Sequence, residues 1–413
     1  MPTIEPIARG LVPVDSPAAD LLGAPNYDEF QSDQEVWELL QQRPHSVLRV
    51  TMPHCAVPSL ADILEEESPA ALELAALNMQ RLKAEPLVRQ VSGVLWIYEI
   101  EVPGTTRRSQ IGLGGMARTS EIRTEANPGG TIIRNEGIKE SKARGRAVLV
   151  EVTGCDMGTV NLAVDDDAGR FEAALRWYAA SRAPDYETRD EAGNLHRVWL
   201  VADPSRQREL QELVLAEPRA YVADGNHRSA AAAMLGVGVF QAVFFPAATM
   251  TIAPYNRLVR VPAREVSDLR GELANYFEVQ VVPPEDVPFQ PLRTHVIGLY
   301  DGARWWRLLP RPGTFDPDDA AQDIDADIVQ RLLFERVLGI GDAKDERLVF
   351  VGANRDARWL QSQVDAGNYR YAVTLPPVTM QQFVRVCLQG KLMPPKSTWF
   401  VPKIRSGLMM ALL

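Results

Sequence analysis

Between residues 230 and 250 only Gln241 and Thr249 are clearly polar. A run this apolar must be hidden from water, either in a bilayer, which takes about 20 apolar residues to cross, or in a protein core. Its punctuation decides between the two. Gly236, Gly238 and Pro246 interrupt it. The glycines divide an alanine-rich stretch ending in Met234-Leu235, which suits a helix, from Val239-Phe240-Gln241-Ala242-Val243-Phe244-Phe245, whose continuous apolar character suits a strand covered on both faces. A buried helix running straight into a buried strand predicts a folded α/β core and no membrane span.

The surrounding chain carries the same alternation. Residues 1–90 read as mixed, with an extended segment at 46–50 and a helix at 70–83, where leucines and alanines recur at helical spacing. Short strands are predicted at 94–102, 109–116, 131–134, 147–152 and 160–164, separated by Gly and Pro. Helices follow at 170–182 and 206–215, flanking a strand at 198–202. A second unit is expected from residue 251 onward. It has an extended 251–261, a helix at 266–277, a hairpin of 295–300 with 305–309 across Asp301-Gly302, then a helix at 328–338, a strand at 348–351, a helix at 357–364 and a strand at 371–375. With roughly 100–200 residues per domain, 413 residues suit two or three domains, and the division expected is 1–250 and 251–413. The fold class expected is α/β in the broad, mixed α+β sense.

Composition narrows the partners. Lys and Arg total 44 against 54 Asp and Glu, a net charge of −10 that repels nucleic-acid phosphates unless a basic patch is set apart. No nucleic acid and no membrane are expected as partners. Cys55, Cys155 and Cys387 lack paired spacing, so neither a disulfide framework nor a cysteine-rich zinc site is supported. Residues 1–15 show no basic cluster leading into an apolar stretch, and the expected location is cytoplasmic. The segment 316–327 holds six aspartates, read as a solvated loop with helix-start charges. A calcium loop begun at Asp323 would need Gly and Glu where Ile328 and Phe334 stand. The chain has no G-x-x-x-x-G-K-[S/T] loop, no H-E-x-x-H helix and no G-x-S-x-G elbow. Gly112-Leu113-Gly114-Gly115-Met116-Ala117 matches a relaxed dinucleotide pattern, but no apolar helical stripe follows, so it reads as a glycine-rich strand or turn.

Three clusters carry chemistry. In Ala220-Tyr221-Val222-Ala223-Asp224-Gly225-Asn226-His227-Arg228-Ser229, a strand enters a tight turn and then a helix. Gly225 allows a tight turn, the first N–H groups of a helix lack intrahelical partners, and Arg228 adds a fixed cation, which together suit an anion. Asp224 suits a metal ion or a proton, and His227 a phosphate or leaving oxygen. A capped helix with a structural histidine is the plain alternative. Residues 134–146 hold five bases and two acids, with Glu136 near the preceding strand and Arg146 at the far end. They read as a phosphate-facing loop or a solvated one. Residues 393–403, Met-Pro-Pro-Lys-Ser-Thr-Trp-Phe-Val-Pro-Lys, make a proline-stiffened segment whose Lys396, Ser397, Thr398 and Lys403 offer donors to an anion, or which seals a terminal strand.

These clusters give the chain its resemblance to the domain-of-unknown-function family numbered 1015. That family's signatures include an APPYD segment, an HExT followed by Arg, a DGHHR turn and a terminal MPPKST-x-F-x-PK. Here they read Ala24-Pro25-Asn26-Tyr27-Asp28, Asn135-Glu136-Gly137-Ile138 with Arg146, Asp224-Gly225-Asn226-His227-Arg228, and residues 393–403. Asn135 and Asn226 stand where the family has histidine, Ile138 where it has threonine and Asn26 where it has proline. The turn also resembles that of ParB/sulfiredoxin-like proteins and free serine kinases. This implies a ParB/sulfiredoxin-like nucleotide-binding core with an additional α/β carboxyl-terminal unit. Sulfiredoxin chemistry needs a cysteine in the turn, where this chain has Asn226 and His227.

The reading that follows is a phosphotransferase using ATP or ADP with magnesium (Mg2+), acting on the hydroxyl of free serine or a serine-like metabolite. Asp224, His227 and Glu136 are the catalytic candidates, with Asp224 and Glu136 also the metal candidates. Gly225, Asn226, Arg228, Ser229, Arg146, Lys396, Ser397, Thr398 and Lys403 are the phosphate-binding candidates. Two alternatives stand beside it: a ParB-like nucleotide-binding regulatory protein without turnover, and a specialised biosynthetic enzyme whose two asparagines mark altered chemistry. The small-molecule substrate and the nucleotide are the expected partners, and a homo-oligomer is compatible with the sequence.

Overall fold

A computed structural model describes all residues 1–413. The chain is mixed α+β and divides into two compact units. The first comprises residues 1–134, 138–250 and 402–413, and the second residues 135–137 and 251–401.

An eight-stranded mixed sheet organises the first unit. Its strands run in the order Ile132–Arg134, Ala220–Asp224, Val160–Val164, Val239–Pro246, Gln110–Arg118, Leu95–Glu101, Leu195–Val201 and Tyr186–Arg189. The apolar run that opened the sequence lies in its middle. The helix Asn226–Leu235 ends at the left-handed Gly236, and Val239–Pro246 then pairs in parallel with Val160–Val164 and antiparallel with Gln110–Arg118. Phe240 and Phe244 join Ile97, Leu113 and Leu162 in one continuous core. No helix is long and apolar enough to cross a membrane. The glycine-rich 112–117 belongs to the Gln110–Arg118 strand, and a side chain at Gly114 would fall on the Trp96 ring. Those glycines serve close packing across the sheet. A second, four-stranded sheet joins Val88–Val91, Gly10–Pro13, Met410–Leu412 and Cys155–Asp156.

In the second unit six antiparallel strands run in the order Phe277–Val281, Trp305–Pro310, Ile297–Tyr300, Tyr371–Thr374, Asn256–Val259 and Leu348–Val351. The expected hairpin is there. Tyr300 faces Trp305, and the Asp301 carboxylate accepts the N–H groups of Ala303 and Arg304 and the Trp306 indole. Leu258, Tyr300, Trp305, Leu360 and Ala372 form the core against the helix Ala357–Asp365.

Three local readings are corrected. Residues 147–152 are not a strand but the end of the helix Glu140–Thr153, so the basic 134–146 segment runs from a strand end at Arg134 through the irregular 135–139 into the first turns of that helix. Its alternating valines mimic a strand, yet Ala143 and Ala147 are buried and the helix packs on the alanine-rich Asn226–Leu235. Tertiary contact overrides the β-branched preference. Residues 46–50 give the short helix Leu48–Thr51 in place of an extended segment, with Leu48 and Val50 turned into the core. The helix read over 266–277 is only Leu269–Ala274, because Phe277 already starts a strand against Pro310. The aspartates of 316–327 are also more engaged than a solvated loop requires. Asp325 is buried and accepts the His295 N–H at 2.9 Å, while Asp327 pairs with Arg331 at 2.6 Å.

Candidate functional site

The Ala220–Asp224 strand delivers Asp224 to the mouth of a turn that only glycine accommodates. Gly225 has φ 101°, and a Cβ there would stand 3.1 Å from Arg228 Nε and 3.2 Å from Val160 Cα. The helix Asn226–Leu235 starts at the next residue, so its first N–H groups and the Asp224 carboxylate share one end of the strand.

Charge is concentrated there. Asp224 Oδ1 pairs with the Arg228 guanidinium at 3.1 Å, one helical turn on, and Oδ2 accepts from Lys403 Nζ at 2.9 Å. Lys403 also donates to Asp28 Oδ2 at 3.2 Å. Burial alone would lower the Lys403 ammonium, but the Asp224 and Asp28 carboxylates outweigh it and hold the group above its ordinary range. Arg228 behaves alike: burial opposes its charge, and Asp224, then Tyr27 and Asp28, restore it. Its guanidinium donates to the Thr159 carbonyl, and its Nε is buried with no hydrogen-bond partner. Deeper in, burial raises Asp156, partly offset by the N–H groups of Gln241 and Gly158 at 2.9 Å and by the Arg228 charge.

Beside this cluster Glu29 is raised to about 7, chiefly by burial and then by the Asp28 charge, with Lys403 opposing. Glu29 Oε1 accepts the Asn26 N–H at 2.7 Å, which fixes the carboxyl in a tight turn. A narrow cavity of about 70 Å³ borders the cluster. Arg228, Asp156, Arg146 and Tyr27 form its polar wall, and Leu149, Val150, Ala231 and Leu235 its apolar one.

The sequence candidates fall as follows. Asp224, Gly225, Arg228 and Lys403 meet in the cluster. Arg146 lies on the cavity with its guanidinium 3.8 Å from the Tyr27 ring centroid, donating to the Thr51 carbonyl at 3.3 Å. His227 Nε2 accepts the Lys139 N–H at 3.0 Å, so the ring steadies the start of the Glu140–Thr153 helix. Ser229 is fully buried and its hydroxyl donates to the Asn226 carbonyl at 3.0 Å; Asn226 is itself buried.

Glu136, Lys396, Ser397 and Thr398 belong to the second unit. There Glu136 bridges Met393, whose N–H donates to the Asn135 carbonyl at 2.8 Å. Lys396 adopts φ 60° and places Nζ 5.7 Å from the Tyr255 ring centroid. Ser397 donates to the Pro394 carbonyl at 2.6 Å, and Thr398 is half-buried beside Trp399, which meets Tyr255 edge-on at 5.1 Å. Behind them Arg257, only 2% exposed, donates to its neighbours' carbonyls Tyr255 O and Asn256 O and packs 4.5 Å from the Phe350 ring centroid. Burial lowers its guanidinium to about 10, with Tyr255 and Glu136 opposing.

Sequence reading missed Asp28, Glu29, Asp156 and Arg257 as charged groups of these clusters. Asp28 lay in a matched motif and could have been weighed with the others. Glu29, Asp156 and Arg257 stand out through burial, which spacing does not reveal.

The pattern of the family described as "Protein of unknown function (DUF1015)" matches residues 4–333. No curated protein matches the sequence. Among solved structures, a free serine kinase variant in complex with AMP is 14% identical, with 67% of this chain and 89% of that one covered at a TM-score of 0.38. C-terminally truncated SbnI from Staphylococcus aureus is 10% identical, with 71% and 85% covered at 0.38. A conserved hypothetical protein from Pyrococcus furiosus is 14% identical, with 67% and 92% covered at 0.35.

Proposed function

We propose that this chain, which belongs to the DUF1015 family, is a nucleotide-dependent phosphotransferase acting on the hydroxyl of free serine or a serine-like metabolite. The observation that carries the reading is the Asp224 carboxylate, set at a strand end beside a left-handed glycine and a helix start, and shared by the buried cations Arg228 and Lys403. Phosphoryl transfer asks for positioned cations, backbone donors and a carboxylate near the acceptor hydroxyl, with little covalent chemistry from the protein.

Each group has a part in that reaction. Arg228, Lys403 and the helix N–H groups hold phosphate oxygens, and Arg146 closes the cavity wall. The donor, ATP or ADP, loses its terminal phosphoryl group as its bridging P–O bond breaks, and the acceptor oxygen takes that group as its O–H proton leaves. Glu29, raised to about 7, suits that proton better than Asp224, which two cations already occupy. Magnesium would be held by Asp28, whose Oδ1 is buried without a hydrogen-bond partner, with Asp224 joining it once the Lys403 ammonium that now bridges the two carboxylates turns to the phosphates. Bound there, it would neutralise polyphosphate charge. All these groups belong to the first unit. The choice of serine rests on the resemblance of the Asp-Gly-x-His-Arg turn alone.

The test is transfer of labelled terminal phosphate from ATP or ADP to a panel of hydroxylated amino acids, with nucleotide affinity measured by calorimetry on wild type and Arg228→Ala. Phosphorylated product and lost affinity in the variant are expected, the variant being studied below its melting temperature because Arg228 is buried. Absence of product with every donor, together with unchanged affinity in the variant, would overturn the assignment. Nucleotide binding without any product would instead favour the regulatory reading, which the family histidines replaced by Asn135 and Asn226 keep in play.

A further inference from the structure

Away from the Asp224 cluster, three donor side chains of different chemistry converge at the start of the helix Asp33–Gln42. Ser32 caps that helix by accepting the Glu35 N–H, so Asp33, its first residue, keeps its carboxylate out of the cap. His54 and Cys55 come from the short proline-led turn Pro53–Cys55. His54 Nε2 stands 3.2 Å from Asp33 Oδ1, and one donor atom from each of Asp33, His54 and Cys55 lies within 4.8 Å of the others.

We propose that Asp33, His54 and Cys55 form a binding site for zinc(II). An imidazole nitrogen, a thiolate sulfur and a carboxylate oxygen are the donors zinc takes, at roughly 2.0–2.3 Å each, and three such protein ligands leave a fourth position for water or another ligand. Donors around one tetrahedral ion therefore stand roughly 3.2–3.8 Å apart. The His54 to Asp33 spacing is already of that size, and the remaining spread needs only a small closure. The burial pattern supplies both rigidity and access. His54 and Cys55 are 2% and 0% exposed and locked in the core, whereas the Asp33 side chain is 56% exposed and faces the route by which an ion would enter.

The surroundings are acidic as well, since the Glu66 carboxylate lies near Cys55 in addition to Asp33. Glu66 is partly satisfied by Arg146 at 3.5 Å and is not needed as a ligand. A divalent ion bound there replaces the Cys55 thiol proton, which is released to solvent on coordination. The site shares no ligand with the magnesium carboxylates Asp28 and Asp224, and its soft sulfur donor selects against magnesium.

Cobalt(II) titration of the full-length chain, freed of metal by chelation, reads the site directly. One equivalent should bind with visible bands of tetrahedral intensity and a near-ultraviolet sulfur-to-cobalt charge-transfer band, and one equivalent of zinc should bleach both. Cys55→Ser should lose the charge-transfer band. Asp33→Asn, at a mostly exposed position where folding is not at stake, should weaken cobalt binding by about 10-fold or more. Failure of wild type to bind one equivalent, or unchanged affinity in Asp33→Asn, overturns the site; so does a charge-transfer band that survives in Cys55→Ser.

Discussion

Lys403 is the residue where the acidic and basic sides of the Asp224 cluster meet. Its ammonium faces Asp28 and Asp224 at 3.2 and 2.9 Å, and all three side chains are largely buried. Removing one member of such a set leaves the others as uncompensated charge in a medium that solvates them poorly. Lys403→Met should therefore lower unfolding free energy in urea by about 3–5 kcal/mol, and adding Asp28→Asn to it should recover part of the loss. If the two substitutions simply add, the pairing is not what holds Lys403 in place. Arg257 presents a contrasting situation, a buried guanidinium surrounded by backbone carbonyls and rings, whose lowering by burial outweighs the Glu136 charge. Neither role was legible in the sequence. Asp-Gly-Asn-His-Arg and the terminal Pro-Pro-Lys-Ser-Thr are local patterns, whereas the meeting of Asp28 with Lys403 joins residues 375 positions apart.

At the scale of elements, the turn between the Ala220–Asp224 strand and the Asn226–Leu235 helix sets Arg228 against Asp224. Gly225→Ala places a side chain at φ 101° and against Val160, so it should cost about 1–3 kcal/mol in the folded state. It should also weaken nucleotide binding, because relief of the strain displaces the helix start; an alanine variant as stable as wild type would show the backbone to be adaptable. Elements with one dominant signal were readable. Val160–Val164 is buried at every position, and the apolar run resolved into helix and strand where its glycines fell. Glu140–Thr153 was not readable, because Val148, Val150 and Val152 alternate like a strand while the deciding contact is with a helix about 80 residues away. Leu48–Thr51 failed for the same reason on a shorter scale: four residues carry too little period to distinguish a turn of helix from a strand.

For the whole molecule, a net charge of −10 tells little about a site whose cations are internal and already paired with acids. What does reach the whole molecule is the proton on Glu29. Its carboxyl is raised to about 7 in the folded chain, by burial first and the Asp28 charge second, against 4.5 for the free group. A carboxyl that binds its proton more tightly when folded favours the native state below the unfolded value. That advantage fades as pH rises, so unfolding free energy should fall between about pH 4.5 and 7 and level off above, with a slope of up to about 1.4 kcal/mol per pH unit from this group. Activity should move the other way if Glu29 accepts the hydroxyl proton, rising through pH 7 as the carboxylate forms. Glu29→Gln separates the two effects. In urea unfolding followed from pH 4 to 8 it should remove Glu29's share of a decline to which Asp325, also raised to about 7 by burial, contributes, and in phosphoryl transfer it should abolish the rise together with most of the rate. A variant that loses that share of the decline but keeps the wild-type pH–rate curve would leave Glu29 as a structural acid of the Asn26 turn and return the proton to another carboxylate.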